Sequence, residues 1–171
     1  VKYLVIPGAP YYHTHRDVDV WLAGLTQDEK VGAKALELLE KYKDKPFLFF
    51  VHFAQIDQQG HKFGENSKEY NDAMISADTW TGRIVEKLKS LGLYDRTLVY
   101  VTADHGFDEG QTAHRNAPHI FLATNDGQVA HAGARFDVAA TVLHRLGVPL
   151  DGLQPPLTGK PLTHPRVEGM Q

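Results

Sequence analysis

The chain has 171 residues, 42% of them apolar and 23% charged, with a formal net charge of -3. That length suits one domain with its own core, the composition is that of a globular protein, and the slight negative charge argues against a general binder of nucleic acid or anionic membrane. There is no cysteine, which removes disulfides, thiolate ligands and a cysteine nucleophile, whereas histidine, the commonest metal ligand, occurs ten times.

In chain order, Tyr3 to Ile6 reads as a short strand closed by the turn signal Pro7-Gly8-Ala9-Pro10. Residues 11 to 25 look irregular. Thr26 and Glu29 have capping-box spacing, and Val31, Ala35, Leu38, Leu39 and Tyr42 recur at helical spacing, which predicts a helix over Gln27 to Lys43. Phe47 to Phe53 is a nearly continuous apolar run, as in strands covered on both faces of a parallel sheet. It is also the longest apolar run, far short of a membrane span. A polar loop is expected from Gln55 to Glu65. Asn66 and Glu69 form a second capping-box pattern, opening a helix that runs to about Leu91 with Gly92 beyond its end. Thr97 to Thr102 and Pro118 to Thr124 read as strands, and Phe136 to Leu146 as a helix. The tail from Val148, rich in Pro, Gly and Leu, is expected to wrap the surface. No repeat or low-complexity tract is present.

Strands alternating with helices predict an α/β layered domain with a largely parallel sheet, residues 1–171 forming one domain. Ligands in such sheets lie beyond the carboxyl ends of the strands. Two acidic residues fall there. Asp57 follows the strand ending at Phe53, within Asp57-Gln58-Gln59-Gly60-His61; Asp104 follows Thr102, within Asp104-His105-Gly106. His114 stands in the loop Gly110 to Arg115.

Carboxylate oxygen and imidazole nitrogen are ligands that suit zinc or manganese. An Asp and a His four apart can meet on one side of a helical turn. Gly60 and Gly106 allow tight backbone turns beside them. Two ions about 4 Å apart clamp the attacking and leaving oxygens of an in-line displacement. Each motif alone is weak: Asp-x-x-x-His is often a surface pair, and Asp-His-Gly is often only a turn. Their placement after two core-like strands, together with His114, favours metal.

The run Val101-Thr102-Ala103-Asp104-His105-Gly106, with Asp57-x-x-Gly60-His61 upstream and Thr112-Ala113-His114 downstream, resembles the alkaline phosphatase superfamily, closest to its type I phosphodiesterase/nucleotide pyrophosphatase and sulfatase-like branches. The resemblance covers about Pro46 to Thr124. It implies an α/β/α sandwich with two clustered divalent ions, zinc foremost and manganese second. Asp57, His61 and His114 would hold one ion, and Asp104 and His105 would help hold the other. It further implies a metal-dependent hydrolase of small-molecule phosphate or sulfate esters. The alternatives are a phosphomutase of the same superfamily and a non-catalytic metal-binding fragment. The family's N-terminal Asp-Gly and its Thr or Ser nucleophile have no counterpart here, since Tyr3 to Ile6 runs into Pro7-Gly8 and Thr14 lies in His13-Thr14-His15. The chain is therefore expected to be the C-terminal portion of a longer protein, incomplete relative to the family and lacking the nucleophile. Compartment and oligomeric state are left open.

Arg115, beside His114, could bind an ester oxygen through its fork of donors, against a solvent-facing role; Lys62, beside His61, has the same two readings. His13, His15 and Asp17 read as a surface loop rather than a site. His52 and Trp80 read as core, and His119, His131, His144 and His164 as structural.

Overall fold

The structure, a computed structural model, describes residues 2–6 as backbone and residues 18–163 in full. The turn at 7–10, Thr14, the cluster of His13, His15 and Asp17, and His164 lie outside the described residues. The contacts divide the chain into two compact units: residues 1–97 with 107–118, and residues 98–106 with 119–171.

In the first unit, strands β1 (Lys2–Ile6), β2 (Val20–Trp21) and β3 (Phe47–Val51) form a parallel sheet in the order β2-β1-β3. The register pairs Lys2 with Phe47 and Ile6 with Val51. Helix α1 (Asp28–Tyr42) is the crossover between β2 and β3, the right length of connection for parallel strands. Its apolar stripe supplies Val31, Ala35 and Leu38 to a core that also takes Val20, Leu22, Phe49, Val51 and Ile84. β3 is therefore not apolar on two covered faces. Phe47, Phe49 and Val51 are partly buried, whereas Leu48 and Phe50 between them are exposed, Phe50 to 47%.

Helix α2 (Gln55–Phe63) occupies most of the segment expected to be a polar loop. Its polar residues concealed the helix because they include the candidate ligands. Gly64, at φ 94, ends it with its N–H on the Gly60 carbonyl. Helix α3 (Lys68–Ser90) follows, capped by Ser67, whose hydroxyl accepts the Tyr70 N–H at 3.1 Å. The boundary is one residue later than the Asn66 pattern implied. α3 crosses α1 where Trp80 meets Gly32; a Cβ on Gly32 would lie 2.3 Å from the indole. Trp80 is thus a packing residue, with the Arg83 guanidinium 4.3 Å from its ring centre.

In the second unit, β4 (Tyr100–Thr102) and β5 (Leu122–Thr124) pair antiparallel. The expected largely parallel sheet is thus replaced by a three-stranded parallel sheet in one unit and an antiparallel pair in the other. The reason lies in the connection. Residues 103–121 carry no crossover helix, so nothing forces the returning strand into the parallel direction. Helix α4 (Asp137–Arg145) follows. Residues 160–163 pack against it, with Leu162 and Thr163 buried rather than on the surface as expected of the tail. The Lys160 N–H donates to Asp137 Oδ1 at 2.8 Å, and the buried Leu162 donates its N–H to Thr141 Oγ1 at 2.9 Å. Beneath them, Asp126, 5% exposed, accepts from Tyr100 Oη at 2.6 Å, Arg145 Nε at 2.7 Å and the Gln128 N–H at 3.0 Å. The result is a mixed α/β chain. Among the described residues no helix is long and apolar enough to cross a membrane.

Candidate metal centre

β3 ends at Val51 and α2 starts at Gln55, so Asp57 falls in the first turn of a helix at the carboxyl end of a parallel strand. The positive end of the helix dipole favours a carboxylate there. One turn on, His61 faces it, with Nε2 3.3 Å from Asp57 Oδ1.

The third member comes from far along the sequence. The loop 107–118 is folded on itself by the Asp108 N–H to the Ala113 carbonyl (2.9 Å), the Gln111 N–H to the Asp108 carbonyl (2.9 Å) and the Asn116 N–H to Asp108 Oδ1 (2.8 Å). Glu65, just past α2, holds the loop in place. Its N–H donates to the Gln111 carbonyl and its Oε2 accepts the Gly110 N–H, both at 3.0 Å. His114 is thereby set beside His61, ring centres 5.0 Å apart. Asp57, His61 and His114 each offer one ligand atom, and these atoms all lie within 4.8 Å of one another.

Phe107 builds the wall behind them. Its ring stands edge-on to His61 at 5.2 Å, to His114 at 5.5 Å and to Tyr70 at 5.6 Å. Burial, with the negative charges of Glu65 and Asp57, pushes the Tyr70 hydroxyl up, so this neighbour stays neutral. Gly60 was expected to serve a turn. It lies instead inside α2, buried, where Phe107 occupies the space of a side chain: a Cβ on residue 60 would be 2.6 Å from the ring.

The proton pattern on His61 bears on what the cluster holds. Its Nδ1 lies 2.8 Å from the Thr112 carbonyl. A carbonyl only accepts, so Nδ1 carries the hydrogen. Nε2, the ring nitrogen left with a lone pair, then lies 3.3 Å from the Asp57 carboxylate. Ligand atoms sharing a tetrahedral zinc at ordinary bond lengths are about 3.3 Å apart, so the pair already stands at that spacing. Anchoring the far ring nitrogen on a carbonyl is also how metal-bound histidines are held in one tautomer. The donor set fits a divalent ion held by three protein ligands with a position left open.

Asp104 and His105 belong to the other unit. Asp104 follows β4 with its side chain 84% exposed, and its carbonyl accepts from Arg135 Nη1 at 2.6 Å. His105 Nε2 lies 3.7 Å from Asp104 Oδ2, and its Nδ1 lies 2.9 Å from the Gly106 carbonyl. The tautomer argument applies again, leaving Nε2 as the ring nitrogen with a lone pair. Arg115 is exposed, as are His119 and His131. Lys62, also exposed, lies 4.8 Å from the centre of the Phe63 ring. Glu65 and Phe107 also shape the site, yet nothing in their local sequence ties them to it.

The sequence pattern of the type I phosphodiesterase/nucleotide pyrophosphatase family matches residues 3–151. The chain belongs to that family. Relatives include steryl-sulfatase of Rattus norvegicus, 35% identical over 88 residues that make up 48% of this chain and 15% of the relative. Arylsulfatase A of Homo sapiens is 28% identical over 166 residues, 87% of this chain and 32% of the relative. Among solved structures, yidJ, a candidate sulfatase of Bacteroides fragilis, has a TM-score of 0.60 at 20% identity, over 94% of this chain and 57% of that one. The family thus joins phosphodiesterases and sulfatases, which are hydrolases, and its members use divalent ions. The chain spans about a third or less of the length of these two relatives.

Proposed function

We propose that the chain is the C-terminal part of a single alkaline-phosphatase-like α/β/α domain, and that the intact protein hydrolyses small-molecule phosphate or sulfate esters with two divalent ions, zinc foremost and manganese second. The observation that carries this reading is the convergence of Asp57, His61 and His114, with the Asp57 carboxylate and the His61 Nε2 face to face at 3.3 Å. Family membership over residues 3–151 supports the reaction class.

Asp57, His61 and His114 hold one ion in this reading, and Asp104 and His105 contribute to the second. When bound, such ions supply Lewis acidity to the ester oxygens and favour the deprotonated nucleophile. The chain's own residues do the rest. The Thr112 carbonyl keeps the His61 hydrogen on Nδ1. Phe107 packs edge-on against both imidazoles. Arg115 offers a planar fork to the non-bridging oxygens of the ester. No residue of this chain is assigned as the nucleophile in this reading.

Metal content after purification, with Asp57→Ala and His114→Ala alongside, is the test. Zinc or manganese that co-purifies with the chain and is lost in both variants supports the reading. Retention of the ion in Asp57→Ala refutes the ligand assignment. The full-length protein is then assayed on an aryl phosphodiester and an aryl sulfate, and turnover of neither sinks the hydrolase reading.

A further inference from the structure

Helices α1 and α2 each begin without a cap of their own. The N-cap residues are Gln27 and Ala54, and neither side chain makes a capping hydrogen bond. The first N–H groups of a helix have no partner within it and need one elsewhere. Here each helix supplies the other. Asp28, the first residue of α1, accepts through Oδ1 from the Ala54 N–H at 3.1 Å and the Gln55 N–H at 3.3 Å. Gln55, the first residue of α2, accepts through Oε1 from the Asp28 N–H at 2.6 Å. The exchange joins residues 27 apart in sequence.

Asp28 is 1% exposed, and its Oδ2 has no hydrogen-bond partner among the described residues. A buried carboxylate with one idle oxygen is a costly cap. Burial pushes its carboxyl up, against the hydrogen bonds from Gln55 and Ala54 that pull it down. What the contact secures is the starting point of α2. Asp57 lies two residues past Gln55, and His61 one turn further, so the rotation and height of α2 decide where Asp57 Oδ1 and His61 Nε2 stand.

We propose that Asp28 and Gln55 form a reciprocal capping pair between α1 and α2, and that Asp28 is through it a positioning residue for the ligands Asp57 and His61. The role in ion binding rests on the metal-centre reading; the capping pair does not.

The experiment titrates the 171-residue chain with cobalt(II), read by its ligand-field absorption, and follows amide hydrogen exchange along α2, for the wild type and for Asp28→Ala, Asp28→Asn, Gln55→Ala and Asp57→Ala. Loss of a cap of ordinary strength corresponds to about a tenfold change. Asp28→Ala is therefore expected to weaken cobalt binding about tenfold, alter its absorption and speed exchange in α2 by a similar factor, with α3 unchanged. Asp28→Asn keeps the Oδ1 acceptor and loses no contact at Oδ2, so it restores both readings to within about threefold of wild type. Gln55→Ala, which leaves the buried carboxylate in place, speeds exchange at the start of α1 and provides the test if Asp28→Ala does not fold.

Unchanged α2 exchange in Asp28→Ala overturns the pair, as does unchanged α1 exchange in Gln55→Ala. Equal cobalt affinity in wild type and Asp28→Ala overturns the positioning role, as does an Asn variant no better than Ala. Asp57→Ala separates the two readings. It abolishes cobalt binding if the metal centre is right. If it leaves binding unchanged, the metal centre fails while exchange still decides the pair.

Discussion

The ring of Phe107 fills the place where a side chain on Gly60 would stand, with 2.6 Å between its Cζ and an ideal Cβ there. The same ring is edge-on to His61 and His114, so the smallest change at residue 60 reaches two candidate ligands at once. Gly60→Ala gains helix propensity but must push Phe107 aside. Overpacking of this kind costs about 1–3 kcal/mol. A fall in the urea midpoint together with weaker zinc binding is expected. A variant as stable and as tight as wild type would show that Phe107 moves freely and supports neither imidazole.

Glu65 acts at a distance from any ion. Its carboxylate and N–H hold residues 110 and 111 of the loop that presents His114. Outer-shell supports of this kind are worth about 10–100-fold in metal affinity. Glu65→Ala is expected at the lower end, about tenfold, because the loop keeps its internal hydrogen bonds. Calorimetric zinc titration measures it, and Glu65→Gln, which retains one acceptor oxygen, should fall between.

The Asp126 cluster concerns stability rather than chemistry. Arg145→Ala removes the cation from a carboxylate 5% exposed. Breaking a buried pair from one side costs about 3–5 kcal/mol; with Tyr100 and the Gln128 N–H still bonded, the lower figure is expected. Tyr100→Phe deletes one hydrogen bond to the charged group and costs about 1.5–3 kcal/mol. Chemical denaturation of both variants is the measurement, and a loss below about 1 kcal/mol for Arg145→Ala would mean Asp126 is already satisfied without it.

Asp137 and Asp126 add to the acid sensitivity of the chain. The N–H groups of Lys160 and Ala134 hold Asp137 below its ordinary value of 3.8. For Asp126, burial pushes upward, but Tyr100, the Gln128 N–H and Arg145 outweigh it and the net shift is downward. A carboxyl whose value is lower folded than unfolded stabilises the fold fully above the unfolded value, and that contribution drains away as the pH falls through the folded one. From these two carboxyls, stability is therefore expected to be flat above about pH 5 and to fall steadily below about pH 4, whereas Asp28, held above its ordinary value by burial, contributes with the opposite sign. Asp137→Asn should shallow that slope in urea titrations at stepped pH; an unaltered slope would remove Asp137 from the account.

Local signals in the sequence went far where a residue's role depends on its neighbours along the chain. Val31, Ala35 and Leu38 announced the buried face of α1, and they form the core cluster. The four-residue spacing of Asp57 and His61 allowed them to meet once the backbone was helical, and they do, at 3.3 Å. The helix itself was missed because the residues that serve the site are polar and carry no apolar stripe. The antiparallel β4–β5 pair was missed because strand order and direction follow from how the connections run, not from the strands' own residues. Ser67 took the cap expected of Asn66 for a similar reason, since adjacent polar residues offer the same local signal.

By itself, then, the sequence determined the apolar periodicities, the element types of most segments, and the chemistry available at Asp57, His61, Asp104, His105 and His114, because these depend on residue type and short spacing. Only the tertiary structure decided that His114 joins Asp57 and His61, that Thr112 fixes the His61 tautomer, and that Asp28 caps α2. Each of those joins residues 26 to 57 positions apart. Such contacts exist only after the parallel sheet and its crossover have paid the entropy of bringing distant segments together, and no short-range pattern encodes them.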